Sequence, residues 1–94
     1  MIVSPGSRPR LAPRARLRLD RLTGQTVLLY PERGLVLNTI GQAVLELCAA
    51  DHTVEDIVTV LNQRYTGDQA RVRAEVLTFL QQLADRGLLE ERAQ

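Results

Sequence analysis

A thiol and an imidazole stand four positions apart in this chain, at Cys48 and His52, and each is the only one of its kind. Such a pair could supply a nucleophile and its base. A working site of that type also needs a third group to orient the base and an oxyanion hole, and two groups alone do not make one. Cys48 falls within an apolar helical pattern, so it is expected to be a small buried hydrophobe. A single cysteine also excludes an internal disulfide and any multi-cysteine metal site. Asp20 and Asp51 read as turn residues rather than general bases. Glu90 and Glu91 read as solvated charges. No H-E-x-x-H, C-x-x-C, P-loop or G-x-G-x-x-G is present. The expectation is a protein without catalytic residues, metal or cofactor.

The chemistry that remains belongs to the backbone. Residues 31–41 read PERGLVLNTIG, which packs a turn, a very short strand and a helix start into one stretch. Pro31-Glu32-Arg33-Gly34 reverses the chain, with proline fixing φ and glycine tolerating positive φ. Leu35-Val36-Leu37 is the strand, and Asn38 and Thr39 stop it and open a helix. A strand so short is expected at a sheet edge. Its unpaired N–H and C=O groups are then open to another chain.

The elements that must hold this edge follow from pattern. Residues 1–14 carry Pro5, Pro9 and Pro13 with several arginines, and are expected to form a flexible arm that folds back or reaches a second copy. Arg16-Leu17-Arg18-Leu19 alternates as a half-buried strand, with both leucines inward. Residues 26–30 form a second strand. If Leu35 and Leu37 of the third strand face the core, Val36 faces away. Ile40, Ala43, Val44, Leu47 and Cys48 mark one face of a first helix over residues 39–50, capped by Asn38 or Thr39. Thr53 caps a second helix, with Asp56 completing a capping box; Val54, Ile57, Val58, Leu61 and Tyr65 form its stripe, and Gly67 ends it. Asp68 caps a third, whose stripe is Val72, Val76, Phe79, Leu80 and Leu83. Gly87 and Leu88 then fit a Schellman ending against Leu83.

Three short antiparallel strands followed by three helices give an α+β fold. The brief corner at residues 51–52 adds a winged helix-turn-helix-like arrangement over residues 15–92. Ninety-four residues with 45% hydrophobic content suit one small domain, with Leu, Val and Ala filling most of the core. No apolar run is long enough to cross a membrane and no secretory signal is visible, so a cytoplasmic protein is expected.

All twelve basic residues are arginine. Residues 1–33 hold seven of them against two acids, a net of +5; residues 34–94 hold five against nine acids, a net of −4. This reads either as a basic tail attracted to an acidic helical body, or as a basic first sheet that favours an acidic partner. DNA binding wants a basic recognition helix. The third helix instead sets Arg71, Arg73 and Arg86 against Asp68, Glu75 and Asp85, and the second sets Arg64 against Glu55 and Asp56. Nucleic acid is therefore not the expected partner. On a helical wheel the apolar arc of the third helix extends past Val76 and Leu80 to Leu77, with Arg73 beside it. Leu77 either packs on a neighbouring element or joins Arg73 and Leu80 in the wall of a peptide groove beside Leu35, Val36, Leu37 and Asn38. A DNA-binding winged helix and a structural dimerisation module are the other classes.

The chain resembles the pyrroloquinoline quinone biosynthesis protein D (PqqD) family. The matching residues are Pro9-Arg10-Leu11, Arg16-Leu17-Arg18 and Val27-Leu28-Leu29-Tyr30-Pro31-Glu32. Most characteristic are Leu35-Val36-Leu37-Asn38-Thr39-Ile40-Gly41, Val44-Leu45, Leu47-Cys48, Thr53-Val54 and Ile57, followed by Phe79-Leu80 and Gly87-Leu88-Leu89-Glu90. The resemblance covers nearly the whole chain. It implies a small peptide chaperone that binds the precursor peptide PqqA and presents it to the radical S-adenosylmethionine enzyme PqqE, as a monomer or homodimer. It further implies that the peptide adds as a strand along Leu35, Val36, Leu37 and Asn38, beside the third helix. Many relatives carry an acid or other polar residue after the first leucine of that strand, where this chain has Val36.

Overall fold

Along the chain the elements run β1 (Pro9–Leu11), β2 (Arg16–Leu19), β3 (Thr26–Tyr30), β4 (Arg33–Val36), α1 (Thr39–Ala49), α2 (Val54–Arg64), α3 (Gln69–Asp85) and β5 (Leu89–Glu91). The computed structural model describes residues 1–30 and 33–92. The three strands and three helices expected from pattern are all present. The strands form an antiparallel sheet in the order β2-β3-β4.

Two further strands were not legible in the sequence. β1 pairs antiparallel with β5, Pro9 opposite Glu91 and Leu11 opposite Leu89, and makes a separate two-stranded sheet. Residues 1–14, expected to be a flexible arm, thus fold back along the domain. The physical reason lies in the partners they find. Ala12 N–H donates to Leu88 O at 2.9 Å and Arg92 N–H to Arg8 O at 2.8 Å. The first turn of a helix has N–H groups with no partner inside the helix. In α2, Val54 N–H donates to Ser7 O and Glu55 N–H to Pro5 O, both at 2.9 Å. Proline at the first position of a two-stranded ribbon loses no ladder bond it needs. Glu90 is correspondingly not a free solvated charge, since it meets Arg10 at 2.7 Å.

The turn proposed at Pro31 and Glu32 lies outside the described residues. Arg33 and Gly34, assigned to that turn, belong to β4. Gly34 is not needed for positive φ. A Cβ there would lie 3.2 Å from Val27 Cγ1 and 3.3 Å from Leu29 Cδ2, so the glycine serves close approach of two side chains across the sheet. The alternation in β2 also fails at one end. Leu17 is half-buried, but Leu19, expected inward, is 59% exposed at the tip of an edge strand.

The helix caps follow the sequence closely. Asn38 Oδ1 accepts from Gly41 N–H at 2.7 Å. Thr53 and Asp56 form the reciprocal capping box, and the Thr53 N–H and hydroxyl hold the Asp56 carboxyl below its usual range. Asp68 accepts from Ala70 N–H. α3 ends as a Schellman motif: Gly87 N–H donates to Ala84 O and Leu88 N–H to Leu83 O, both at 2.9 Å, with Gly87 at φ +73. α2 ends earlier than Gly67, at Arg64, because Tyr65 is already extended.

The core lies between the β2–β4 sheet and the helices. Leu28, Leu45, Ile57, Leu61 and Leu80 are fully buried in it. Leu88 and Leu89 enter the same cluster, which the Schellman turn delivers. Gly87→Ala should therefore lower stability by about 1–2 kcal/mol, the cost of a left-handed non-glycine residue. Urea denaturation checks this, with an earlier midpoint and an unchanged slope expected.

Candidate functional site: an open strand edge beside an apolar groove

β4 is the last strand of its sheet, and the ladder decides which of its groups point away. Antiparallel partners alternate between hydrogen-bonded and non-hydrogen-bonded pairs. Leu37 N–H donates to Thr26 O at 2.9 Å. With Val36 opposite Val27 and Leu35 opposite Leu28, that bond makes Leu35 and Leu28 a hydrogen-bonded pair. Val36 and Gly34 then turn their N–H and C=O groups toward the open edge. Side chains alternate as well: Leu37 is buried, Leu35 half-buried and Val36 56% exposed, as the pattern predicted.

Beside this edge runs a groove of about 470 Å³. One wall is Leu35, Val36, Leu37 and Asn38, and the floor includes Ile40, Gly41 and Val44. The other wall is α3, through Glu75, Val76, Phe79, Gln82, Leu83 and Arg86. Those spacings share one helical face. The centre is apolar and the far rim polar. At Gly41 a Cβ would stand 3.5 Å from the Phe79 ring and 3.2 Å from Asn38 Oδ1. The bare glycine thus leaves Phe79 its place and the Asn38 cap intact.

Five of the eight residues singled out from sequence line this groove: Leu35, Val36, Leu37, Asn38 and Val76. The structure places Arg73, Leu77 and Leu80 elsewhere. Leu80 is fully buried in the core, and Leu77 is half-buried against it. Arg73 reaches Glu55 of α2 at 2.6 and 2.8 Å. At 100° per residue, Leu80, Arg73 and Leu77 lie on one flank of Val76, and Phe79, Arg86 and Glu75 on the other. The apolar arc of α3 widens on the flank where Arg73 meets α2. A wide apolar arc marks packing; the groove flank carries the polar rim. Phe79, the sole phenylalanine, is the sequence signal for this wall: it shares the apolar stripe of α3 but lines the groove instead of filling the core.

Charge on α3 is largely neutralised, with Arg71 meeting Glu75 at 3.1 Å and Arg73 meeting Glu55. Arg86 has no ion-pair partner among the described residues, which leaves one free cation on the groove rim. The thiol and imidazole do not cooperate. Cys48 is fully buried, while His52 Nδ1 faces Asp56 at 3.9 Å. Among the described residues no group of three or more His, Cys, Asp or Glu could hold a metal ion.

The family model for coenzyme PQQ synthesis protein D (PqqD) matches residues 25–89, which spans the β3–β4 hairpin, all three helices and the start of β5. The chain belongs to the PqqD family. It is 42% identical over 89 residues to a PqqA binding protein of Rhodopseudomonas palustris (strain HaA2), covering 95% of this chain and 87% of that one. It is 40% identical over 82 residues to the bifunctional coenzyme PQQ synthesis protein C/D of Methylorubrum extorquens, of which it spans 22%. The solution NMR structure of the PqqD part of Methylobacterium extorquens PqqCD, a stand-alone recognition element for ribosomally synthesised, modified peptides, matches with a TM-score of 0.72 at 40% identity over 87% of each chain. The fold is also that of TbiB1, solved in complex with the TbiA(β) leader peptide: TM-score 0.75 at 23% identity, over 90% of this chain and 99% of that one.

Burial pushes the Cys48 thiol of this PqqD-family chain up to about 12, against the opposing pull of Arg92. Keeping the thiol neutral favours the folded state below the ordinary thiol pKa near 9, and this contribution is lost as pH rises toward 12. Cys48 should therefore resist Ellman's reagent at pH 8 in the native protein and react at once in denaturant. In parallel, urea midpoints should fall between pH 9 and 11 in wild type and less in Cys48→Ala.

Proposed function

We propose that this chain is a peptide chaperone of pyrroloquinoline quinone biosynthesis that binds PqqA as an added strand on β4 and presents it to PqqE. It carries no catalytic residue in this reading and acts in the cytoplasm, as a monomer or homodimer. The α1–α2 corner with the β2–β4 sheet is taken as winged-helix-like. The observation that carries the proposal is the open edge of β4, whose outward backbone groups run along an apolar groove walled by α3.

The two halves of this site do different work. Backbone pairing is sequence-independent and contributes roughly 0.5–1.5 kcal/mol net per bond. Filling the groove with an aliphatic side chain contributes roughly 1.5–3 kcal/mol. Affinity without specificity comes from the edge; selection comes from Leu35, Val76, Phe79 and Leu83, and from the charge on Arg86.

Calorimetric titration with PqqA peptide tests this. Val36→Pro removes an outward N–H without breaking the bonds to β3, and should weaken binding about tenfold, roughly 1.4 kcal/mol, with little change in unfolding. Unchanged affinity would count against strand addition. Phe79→Ala should cost a similar factor through the groove alone. Leu77→Asp should lower stability rather than affinity, because Leu77 lies on the covered flank. If its folded fraction binds peptide much more weakly than wild type, Leu77 belongs to the site after all.

A further inference from the structure

Among the described residues, no element packs on the face of the β2–β4 sheet opposite the core. Leu28 is fully buried, so its cross-strand partners Leu17 and Leu35 share the inner side. Alternation then puts Arg16, Arg18, Val27, Leu29 and Val36 on the outer side. Gly34 lies between Val27 and Leu29, whose side chains close over it, so the aliphatics form one continuous strip. The turn after β2 extends the strip. Leu22 is 97% exposed and Leu19 is 59% exposed, and with Arg18, Asp20, Arg21, Val27 and Leu29 they line a shallow hollow of about 830 Å³. Among the described residues five large hydrophobics are exposed, and three of them, Leu19, Leu22 and Val36, lie on or beside this sheet.

The charge on this face is mostly positive. Arg16, Arg18 and Arg21 have no ion-pair partner among the described residues, a state they share with Arg14, Arg64 and Arg86 elsewhere but which here groups three of them on one sheet and its turn. The nearby carboxylate of Asp20 is engaged by the turn, accepting from Leu22 N–H at 2.9 Å. An aliphatic strip ringed by free arginines is the composition of a protein interface. A nucleic-acid surface would add aromatic side chains for stacking, and this face has none.

We infer that the outer face of the β2–β4 sheet is a second docking surface, taken by a protein whose own apolar patch is rimmed with Asp and Glu, and that this protein is the enzyme receiving the peptide. The inference rests on the peptide-presenting reading above. Its structural basis is that β4 divides the two faces: the groove opens on one side and the Arg16–Arg18 strip on the other, so both can be occupied at once.

The test uses Arg18→Glu and Leu22→Glu, singly and together, in the full chain. Neither residue lines the groove, and both side chains are exposed, so folding and PqqA affinity should stay within twofold of wild type. Affinity for purified PqqE, measured by biolayer interferometry with and without PqqA, should fall at least tenfold in the double variant and rise again with Arg18→Lys. Wild-type affinity for PqqE in the double variant overturns the inference. So does light scattering that shows a wild-type dimer lost in the double variant, since the face would then join two copies. Binding of wild type to anionic vesicles or duplex DNA that the double variant lacks overturns it equally. Failure of wild type to bind PqqA would instead strike the groove reading, with the PqqE measurement standing on its own.

Discussion

The hydrogen bond from Leu37 N–H to Thr26 O, 2.9 Å long, sets the parity of the whole β3–β4 ladder. Sheet side chains alternate with a period of two, so a slip of one residue would send Leu35 and Leu37 to the outer face and bring Val36 and Gly34 inward. The same slip would turn the backbone groups of Leu35 outward and hide those of Val36. Groove wall, open edge and outer strip therefore depend on one register. Two features hold it. Leu28 and Leu37 are buried and have no other face to occupy. Gly34 sits opposite Leu29, where a Cβ would crowd Val27 Cγ1 and Leu29 Cδ2 at 3.2 and 3.3 Å, so a larger residue slipped into that place would push on both side chains.

The second dependence runs through the chain's charge asymmetry. The basic first third lies along acidic partners: Arg10 meets Glu90 and Arg8 meets Asp51. Exposed pairs of this kind contribute about 0–1 kcal/mol each, so they orient the segment more than they hold it. The holding is done by the β1–β5 ladder and by the carbonyls of Pro5 and Ser7, which satisfy the first turn of α2. Arg92 extends this logic, its Nη2 donating at 2.8 Å to Cys48 O near the end of α1, a carbonyl that also accepts from Asp51 N–H at 3.2 Å. Both chain ends thus close helix termini, and α1 and α2 are clamped where the groove floor and the core need them.

What was legible in the sequence was local. Caps at Asn38, Thr53 and Asp68, the Schellman residues Gly87 and Leu88, and the alternating strands each depend on neighbours within a few positions. The β1–β5 ribbon was hidden because its two strands are three residues long and lie some 80 positions apart, as Arg10 and Glu90 show. The strand wall of the candidate groove was legible for the local reason, since Leu35 to Asn38 announce a short strand and a cap. Of the helical wall only Val76 was, because a wheel reports which residues are apolar and not which neighbour covers them. Leu77 and Leu80 are apolar because α2 and the core cover that flank, and Arg73 stands among them because Glu55 waits across the gap. Leu19 misled in the opposite sense: alternation promised burial, but alternation cannot see where a sheet ends.

A strand added to β4 would inherit the parity of the ladder. Its side chains would alternate too, every second one entering the groove and the others rising on the outer side next to Val36. The groove would read half of the peptide and leave the other half displayed on the face that carries Arg16 and Arg18. A chaperone that buried its peptide on all sides would have to release it before any enzyme could act. Edge pairing avoids that conflict, because the backbone supplies much of the affinity while alternate side chains stay accessible. Val36 fits the same geometry: its side chain contributes to the outer strip, while its backbone N–H and C=O point to the open edge.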